Sequence, residues 1–203
     1  MKKRVTLSIA IFIIVLGILI YMYISPYLTL MKFKKKIISI QNEEKNYKFE
    51  INNDGNTTIL YKKDDVSLIC NDNNPRYYYD GEKVYLVDSI KKSKTEIENS
   101  NIILINKLNI FASSSEKDNL KILNVIKEYP DLKITQEEYD SIKCYKIYMG
   151  ETSQYKYIYI NTESLEPVAG IREEMVNNIE TTSTDYFKIS YGTVTEEDVK
   201  LDF

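Results

Sequence analysis

Acidic side chains are the main groups in this sequence that could take part in acid–base chemistry. They stand next to each other at Glu137–Glu138, Glu173–Glu174 and Glu196–Glu197–Asp198. In a strand, adjacent residues point to opposite faces, so such neighbours do not converge on one substrate atom. The sequence contains no histidine, which excludes Ser-His-Asp and Cys-His catalysis and removes the commonest zinc ligand. We therefore expect no enzyme: no catalytic residue, no metal and no cofactor.

Charge and glycine patterns exclude further classes of function. Beyond position 26 the chain carries 24 basic and 30 acidic side chains, a net charge of −6. Such a surface repels phosphate, so we expect no nucleic-acid partner. Among the six glycines there is no P-loop, dinucleotide-binding or calcium-loop pattern.

The two cysteines, Cys70 and Cys144, allow two interpretations. A disulfide closing a loop of this length would contribute about 4 kcal/mol on the chain-entropy estimate. However, Cys70 alternates with Val66 and Leu68 on an apolar face, whereas Cys144 is out of step with the apolar residues of its own strand. Two separate, half-buried thiols are therefore an equally good prediction.

The most distinctive stretch is residues 5–24, VTLSIAIFIIVLGILIYMYI, which contains no charged residue. Twenty residues make a helix of about 30 Å, the thickness of the hydrocarbon core of a bilayer. The stretch has no small-residue cleavage site, so it predicts an uncleaved signal anchor after a short tail, residues 1–4. Pro26 is expected to break the helix. We expect a single-pass protein of the plasma membrane.

The orientation of this anchor follows from its flanking charges. Lys2, Lys3 and Arg4 lie directly against the apolar run, whereas a second cluster of lysines begins only at Lys32. The positive-inside rule then favours a cytoplasmic N-terminus and one extracytoplasmic domain, residues 27–203.

That domain begins with an amphipathic helix and continues in hairpins. Over residues 27–45 an apolar stripe, Leu30, Phe33, Ile37 and Ile40, faces a sheet, with lysines on the other faces. Alternating patterns then predict strands over residues 47–51, 57–63, 66–70, 77–79, 83–87 and 94–98. Asp80-Gly81 predicts a tight type I′ turn, and residues 71–75, NDNNP, predict a loop.

Two helices and a second group of strands complete the chain. Leu104, Leu108 and Phe111 share one stripe of the first helix; Ser115 begins the second, with Ile122, Leu123, Ile126 and Tyr129 on its inner face. Strands follow from Ile142, over residues 143–149, 154–161, 168–175 and 182–191, and a short turn closes the chain at residues 195–199. Tyr155, Tyr157 and Tyr159 share one face of their strand, and Ile158 and Ile160 the other. The fold class is therefore α+β: a curved antiparallel sheet with helices on its concave side and aromatic rings outside.

Three stretches resemble one superfamily. They are YYYDGEKVYLVD at residues 77–88, YKYIYINTESLEPVAGIREE at 155–174 and DYFKISYGTVTEEDVKL at 185–201. Together with the order of elements they resemble the LolA-like superfamily of outer-membrane lipoprotein carriers, which includes LppX-like domains. The resemblance implies a half-closed barrel plugged by helices, with an apolar cavity for acyl chains or a lipidated or peptide partner. A spanning anchor is incompatible with a shuttle, so it favours a stationary acceptor, sensor or assembly factor.

The leading hypothesis is a membrane-anchored, extracytoplasmic protein that binds lipid or lipoprotein in this cavity. Its concave side is expected to be formed by Phe49, Ile147, Ile158, Ile160 and Ile189, under the stripe of Leu104, Leu108 and Phe111. The alternative is a non-catalytic regulatory or scaffolding ectodomain that binds another envelope protein. An apolar cavity of roughly 300 Å³ would favour the first, and a filled core the second.

Overall fold

The computed structural model describes residues 2–97, 121–150, 154–176, 179–201 and 203. A long helix, α1 (Lys2–Glu43), leads into a run of strands; a short helix, α2 (Ile122–Glu128), lies between two groups of strands, and a 3-10 turn (Glu197–Val199) lies near the end. The strands are β1 (Asn46–Asn53), β2 (Asn56–Lys63), β3 (Val66–Asn71), β4 (Asn74–Tyr79), β5 (Val84–Asp88), β6 (Ser93–Ile97), β7 (Lys133–Tyr139), β8 (Ile142–Tyr148), β9 (Tyr157–Asn161), β10 (Pro167–Val176) and β11 (Ile179–Tyr191).

The strands form one open antiparallel sheet of 11 strands, in the order β6-β5-β4-β3-β2-β1-β11-β10-β9-β8-β7. Strands that follow one another in sequence pair, except β6 and β7, which form the two edges, and β1 and β11 meet in the middle of the sheet. Two-residue turns with positive φ connect several pairs, as at Asp72 and Asn73. The α+β class and the two-part order of strands are confirmed.

α1 is continuous through Pro26, so the predicted break at this residue is wrong. Proline removes one helical hydrogen bond, but burial of the side chains that follow it stabilises the continued helix. Tyr23 is 61% exposed, whereas Tyr27 is only 3% exposed, and Leu30, Phe33, Ile37 and Ile40 are buried. The predicted apolar stripe of residues 27–45 is therefore confirmed as the second half of one longer helix.

One face of the sheet, the helix-packed face, forms the main core with both helices. Phe49, Leu60, Ile69, Ile147 and Ile158 lie on it and share one cluster with the stripe of α1 and with Val125 of α2. Phe33 contacts the ring of Tyr145 on β8, with ring centroids 5.4 Å apart. Burial of these side chains holds the second half of α1 against the sheet.

The opposite, outer face has a smaller apolar cover. Cys144, Tyr159 and Ala169 form one buried cluster there. Farther along, the C-terminal segment, residues 192–203, contributes buried Val194 and Val199, and its 3-10 turn packs on β2 and β3. The side chain of Asn46 fixes this segment, because it accepts from the Val194 N–H at 2.9 Å and donates to the Val194 carbonyl at 2.8 Å.

Several local expectations need correction. β7 was not predicted, because its polar sequence KITQEEY forms a mostly exposed edge strand. The loop expected at residues 71–75 is a two-residue turn between paired strands. Asp80-Gly81 belongs to a longer connection, in which the Asp80 carboxylate accepts the N–H groups of Glu82 and Lys83 at 3.0 and 2.8 Å.

The mid-chain helices were predicted with mixed success. In α2, Ile122 and Ile126 pack against the core and Tyr129 is buried, but Leu123 is 69% exposed and Val125 takes the inner position. The start expected at Ser115 lies outside the described residues, as does the whole helix expected to carry Leu104, Leu108 and Phe111.

Candidate ligand-binding face

The five sheet residues predicted to form a binding surface all lie on the helix-packed face. Phe49 pairs with Ile189 across β1 and β11, and Ile147 pairs with Ile158 across β8 and β9. Ile160 is the next residue on the same face of β9. All except Ile189 are at most 1% exposed; Ile189 is half-buried at the margin of the core. Sequence alternation therefore assigned the correct face.

The cover of this face is described only in part. The predicted stripe of Leu104, Leu108 and Phe111 falls outside the described residues. Within the described part, α1 and α2 pack on the face, with Phe33 against Tyr145. Ile51, Tyr77, Tyr79, Ile97 and Ile189 surround the core as partly buried apolar residues. These side chains form the partly buried margin of the helix-packed face.

A buried ion pair holds α2 against α1. Lys34 is only 6% exposed. Its ammonium group lies 3.0 Å from the Glu128 carboxylate and 4.7 Å from the ring centroid of Tyr129. The Tyr27 hydroxyl donates to the carbonyl of Pro130 at 3.2 Å. Lys34 is therefore buried between the helices, whereas Lys32 and Lys35 are exposed. Breaking such a pair would leave an uncompensated charge inside the protein.

A polar cluster borders the apolar face at one end of the sheet. Asp185, only 4% exposed, accepts hydrogen bonds from Asn53, from the Tyr155 hydroxyl at 2.7 Å and from Arg172 Nη2 at 2.7 Å. Burial, followed by the hydrogen bond to Asp185, raises the pKa of Tyr155 above its ordinary value. Arg172 Nε is buried without a hydrogen-bond partner among the described residues. The cluster thus contains one buried N–H donor for which the described part of the chain supplies no acceptor.

Tyr155 belongs to this face because of Gly170. It was expected to share a face with Tyr157 and Tyr159, but it precedes β9, and its ring lies over Gly170. A Cβ at Gly170 would lie 2.5 Å from Cδ1 of this ring, so only glycine permits the contact. The ring also meets Phe187 edge-on, with centroids 5.7 Å apart. No sequence pattern signalled this bend; the Gly170 position in a strand was the only available hint.

The acidic pairs considered for catalysis have surface roles in the described structure. Glu137 pairs with Lys146 at 3.3 Å and Glu173 pairs with Lys156. Asp198 accepts from the N–H and hydroxyl of Thr195, and these bonds lower the pKa of its carboxyl. The short turn predicted at residues 195–199 is present as the 3-10 turn. Within the described ranges, no group of three potential ligands is placed to hold a metal ion.

The cysteines are free and buried. Cys70 on β3 and Cys144 on β8 are six strand spacings apart, roughly 29 Å along the sheet at about 4.8 Å per strand. The prediction of two separate thiols is therefore confirmed, but both are buried rather than half-buried. No protein-family model matches this chain, and no curated protein sequence matches it at a significant level.

Proposed function

We propose that this chain is a membrane-anchored, extracytoplasmic binding protein that holds an apolar ligand, a lipid or the acyl chain of a lipoprotein, between its sheet and its helices. The course of α1 carries the proposal. Its first half exposes apolar side chains from Ile9 to Tyr23, and its stretch from Ile11 is long and apolar enough to cross a membrane. Its second half enters the core of the sheet without a flexible linker. Such a helix brings an apolar sheet face next to a lipid source.

The shape proposed for the domain is a half-closed barrel with the helices on its concave side. The open 11-stranded antiparallel order supports this shape, because a sheet of so many twisted strands tends to curl. The second support is the concentration of both described helices on one face. Acyl chains would enter at the half-buried margin rather than through the filled centre.

The chemistry of the face suits a ligand that is mainly apolar. Each buried methylene would contribute about 0.8 kcal/mol, so one acyl chain binds measurably without any charge. Arg172 Nε, unpartnered within the described part, suits the carbonyl oxygen of an ester or amide at the polar end of such a ligand. The neighbouring Asp185 already neutralises this arginine, so a neutral acceptor fits better than an anion.

The proposed localisation is a single-pass position in the plasma membrane with the domain outside. A reporter enzyme fused after Phe203 tests the orientation. Activity of an export-dependent reporter, with no activity of a cytoplasm-dependent one, is expected from the charges flanking the anchor. The opposite pattern would place the domain in the cytoplasm.

Ligand binding is tested with variants on opposite faces of β11. Ile189→Asn changes a half-buried position on the helix-packed face, whereas Ser190→Asn changes the next residue on the outer face. Ile158 is unsuitable, because at 1% exposure a charged substitution there would unfold the domain. The full chain is purified in mild detergent and its bound lipid is measured by native mass spectrometry.

We expect a stoichiometric lipid in the wild type and in Ser190→Asn, and severalfold less in Ile189→Asn, with similar urea midpoints for all three. Absence of such lipid from the wild type, or equal retention in both variants, would favour the alternative, a scaffolding ectodomain that binds another envelope protein. The observation in favour of that alternative is the centre of the face, which α1 fills.

A further inference from the structure

The antiparallel order assigns every strand turn to one of two ends of the sheet. Tyr27, where α1 leaves its exposed apolar half, bonds to Pro130 just before β7, whereas the other end of α1 precedes the start of β1. We call the end near Pro130 the proximal end. Among the described turns, it contains those at residues 54–55, 72–73, 89–92 and 130–132. The turns at residues 64–65, 80–83, 140–141 and 162–166 form the distal end.

The two ends differ in charge. The distal turns carry a single lysine, Lys83, against a group of acids: Asp64, Asp65, Asp80, Glu82, Asp140, Glu163 and Glu166. The proximal turns within the described part carry Asp54, Asp72 and Asp131, together with Lys91 and Lys92. The strand ends beside the proximal turns add Asp88, Glu173 and Glu180, together with Arg172. Among the turns themselves, an anionic membrane surface repels the distal set more than the proximal set.

The β5–β6 turn at the proximal end exposes an apolar side chain, Ile90, and is held by hydrogen bonds within the turn. Ile90 is 95% exposed, more than any other large apolar residue described. Asp88 accepts the N–H groups of Ile90 and Lys91 at 3.1 and 2.9 Å, and these bonds contribute to lowering its pKa. The Lys91 side chain is 80% exposed, with its ammonium group 3.4 Å from Asp88. An exposed isoleucine followed by two lysines suits binding to a lipid bilayer, because the bilayer has an apolar interior and anionic headgroups.

We propose that the proximal end faces the bilayer and that the β5–β6 turn inserts Ile90 among anionic lipid headgroups, with Lys91 and Lys92 beside the phosphates. The inference rests on the proposed membrane anchor, and it adds a second point of contact. Two contacts on one rigid body fix the orientation of the sheet over the membrane. The open margin of the helix-packed face would then lie at a constant height above the lipid.

The test measures the depth of single labelled positions in the full chain. Ile90→Cys and the matched control Glu82→Cys, in a distal turn, are labelled with bimane and reconstituted in nanodiscs of phosphatidylcholine and phosphatidylglycerol. A phospholipid spin-labelled next to its headgroup acts as the quencher. Wild-type protein treated in parallel gives the background from Cys70 and Cys144, which are buried.

We expect severalfold stronger quenching at position 90 than at position 82. Equal quenching at the two positions, or none at position 90, overturns the inference. An alkaline carbonate wash of cell membranes separates this failure from failure of the anchor. If the wash removes the chain from the membrane, the chain has no anchor and both proposals are wrong. If the chain stays with the lipid but the label at position 90 is not quenched, only the proposed Ile90 contact is wrong.

Discussion

Tyr155 and Gly170 show how one contact can reverse the face of a side chain. The alternating pattern over residues 155–159 was correct for Tyr157 and Tyr159, which lie on the outer face. Tyr155 departs from it because the chain bends before β9 and the missing side chain of Gly170 leaves room for a ring. The hydroxyl then reaches Asp185, a residue whose burial no sequence period revealed.

Gly170→Ala should destabilise the protein. The new methyl group would lie 2.5 Å from the Tyr155 ring, so the ring must move from Phe187 and Asp185. Overpacking of this kind costs about 1–3 kcal/mol, measured as a lower urea midpoint. The double variant Gly170→Ala/Tyr155→Leu should lose less than the sum of the single variants, because both act on one contact. Strict additivity would show that the ring does not occupy this position.

The thiols should be unreactive in the folded protein. Burial raises the pKa of Cys70 to about 11 and also raises the pKa of Cys144. The thiolate is the reactive form, so at pH near 8 both react slowly with a disulfide reagent. Ellman titration should detect two thiols only after denaturation in urea, without reductant. Detection of no thiols in urea would instead indicate a disulfide.

At the scale of elements, periodicity predicted most strands and the buried stripe of α1, because those patterns are set by local alternation between core and solvent. It missed β7, an edge strand with few apolar residues. It also ended the anchor at Pro26, because the cost of proline is local, whereas the packing that continues the helix comes from distant strands.

The C-terminal segment should shield Cys70 but not Cys144. Its 3-10 turn packs on β2 and on β3. Cys70 lies on β3, whereas Cys144 lies on β8, six strand spacings away. Truncation after Tyr191 should therefore accelerate alkylation of Cys70 and leave Cys144 unchanged. Peptide mapping by mass spectrometry measures both rates in one sample, so Cys144 serves as the internal control. Equal acceleration of both would indicate general unfolding rather than local exposure.

At the scale of the whole molecule, four of the five residues expected to form the binding surface come from the second group of strands, and Phe49 comes from the first. The β1–β11 pairing joins the two groups, so Phe49 meets Ile189. Sequence alternation could place each residue on a face, but the pairing that joins distant strands was not encoded locally. The hydrogen bond from Asn53 to Asp185 depends on the same pairing, so the polar cluster was missed.

Alkaline conditions should destabilise the fold steeply. Tyr47, Tyr129 and Tyr155 are buried, and burial raises the pKa of each above its ordinary value of 10.0. The unfolded hydroxyls ionise near that value while the folded ones stay protonated. Stability is therefore fully present below pH 10 and is lost as the pH rises above it. The urea midpoint of the wild type should fall as the pH rises through this range, and the midpoint of Tyr155→Phe should fall less steeply. A flat profile would contradict the burial of these hydroxyls.

Removal of residues 1–26 should yield a soluble, folded domain. The deletion removes the exposed apolar half of α1 but keeps Tyr27, the buried stripe and the Lys34–Glu128 pair. The remaining chain has a net charge of −6, which opposes association. Gel filtration without detergent should show a monomer. As a control, removal of residues 1–34 also deletes Leu30, Phe33 and Lys34, exposes the helix-packed face and should aggregate. Aggregation of the shorter deletion, or solubility of both, would mean that the second half of α1 does not complete the core.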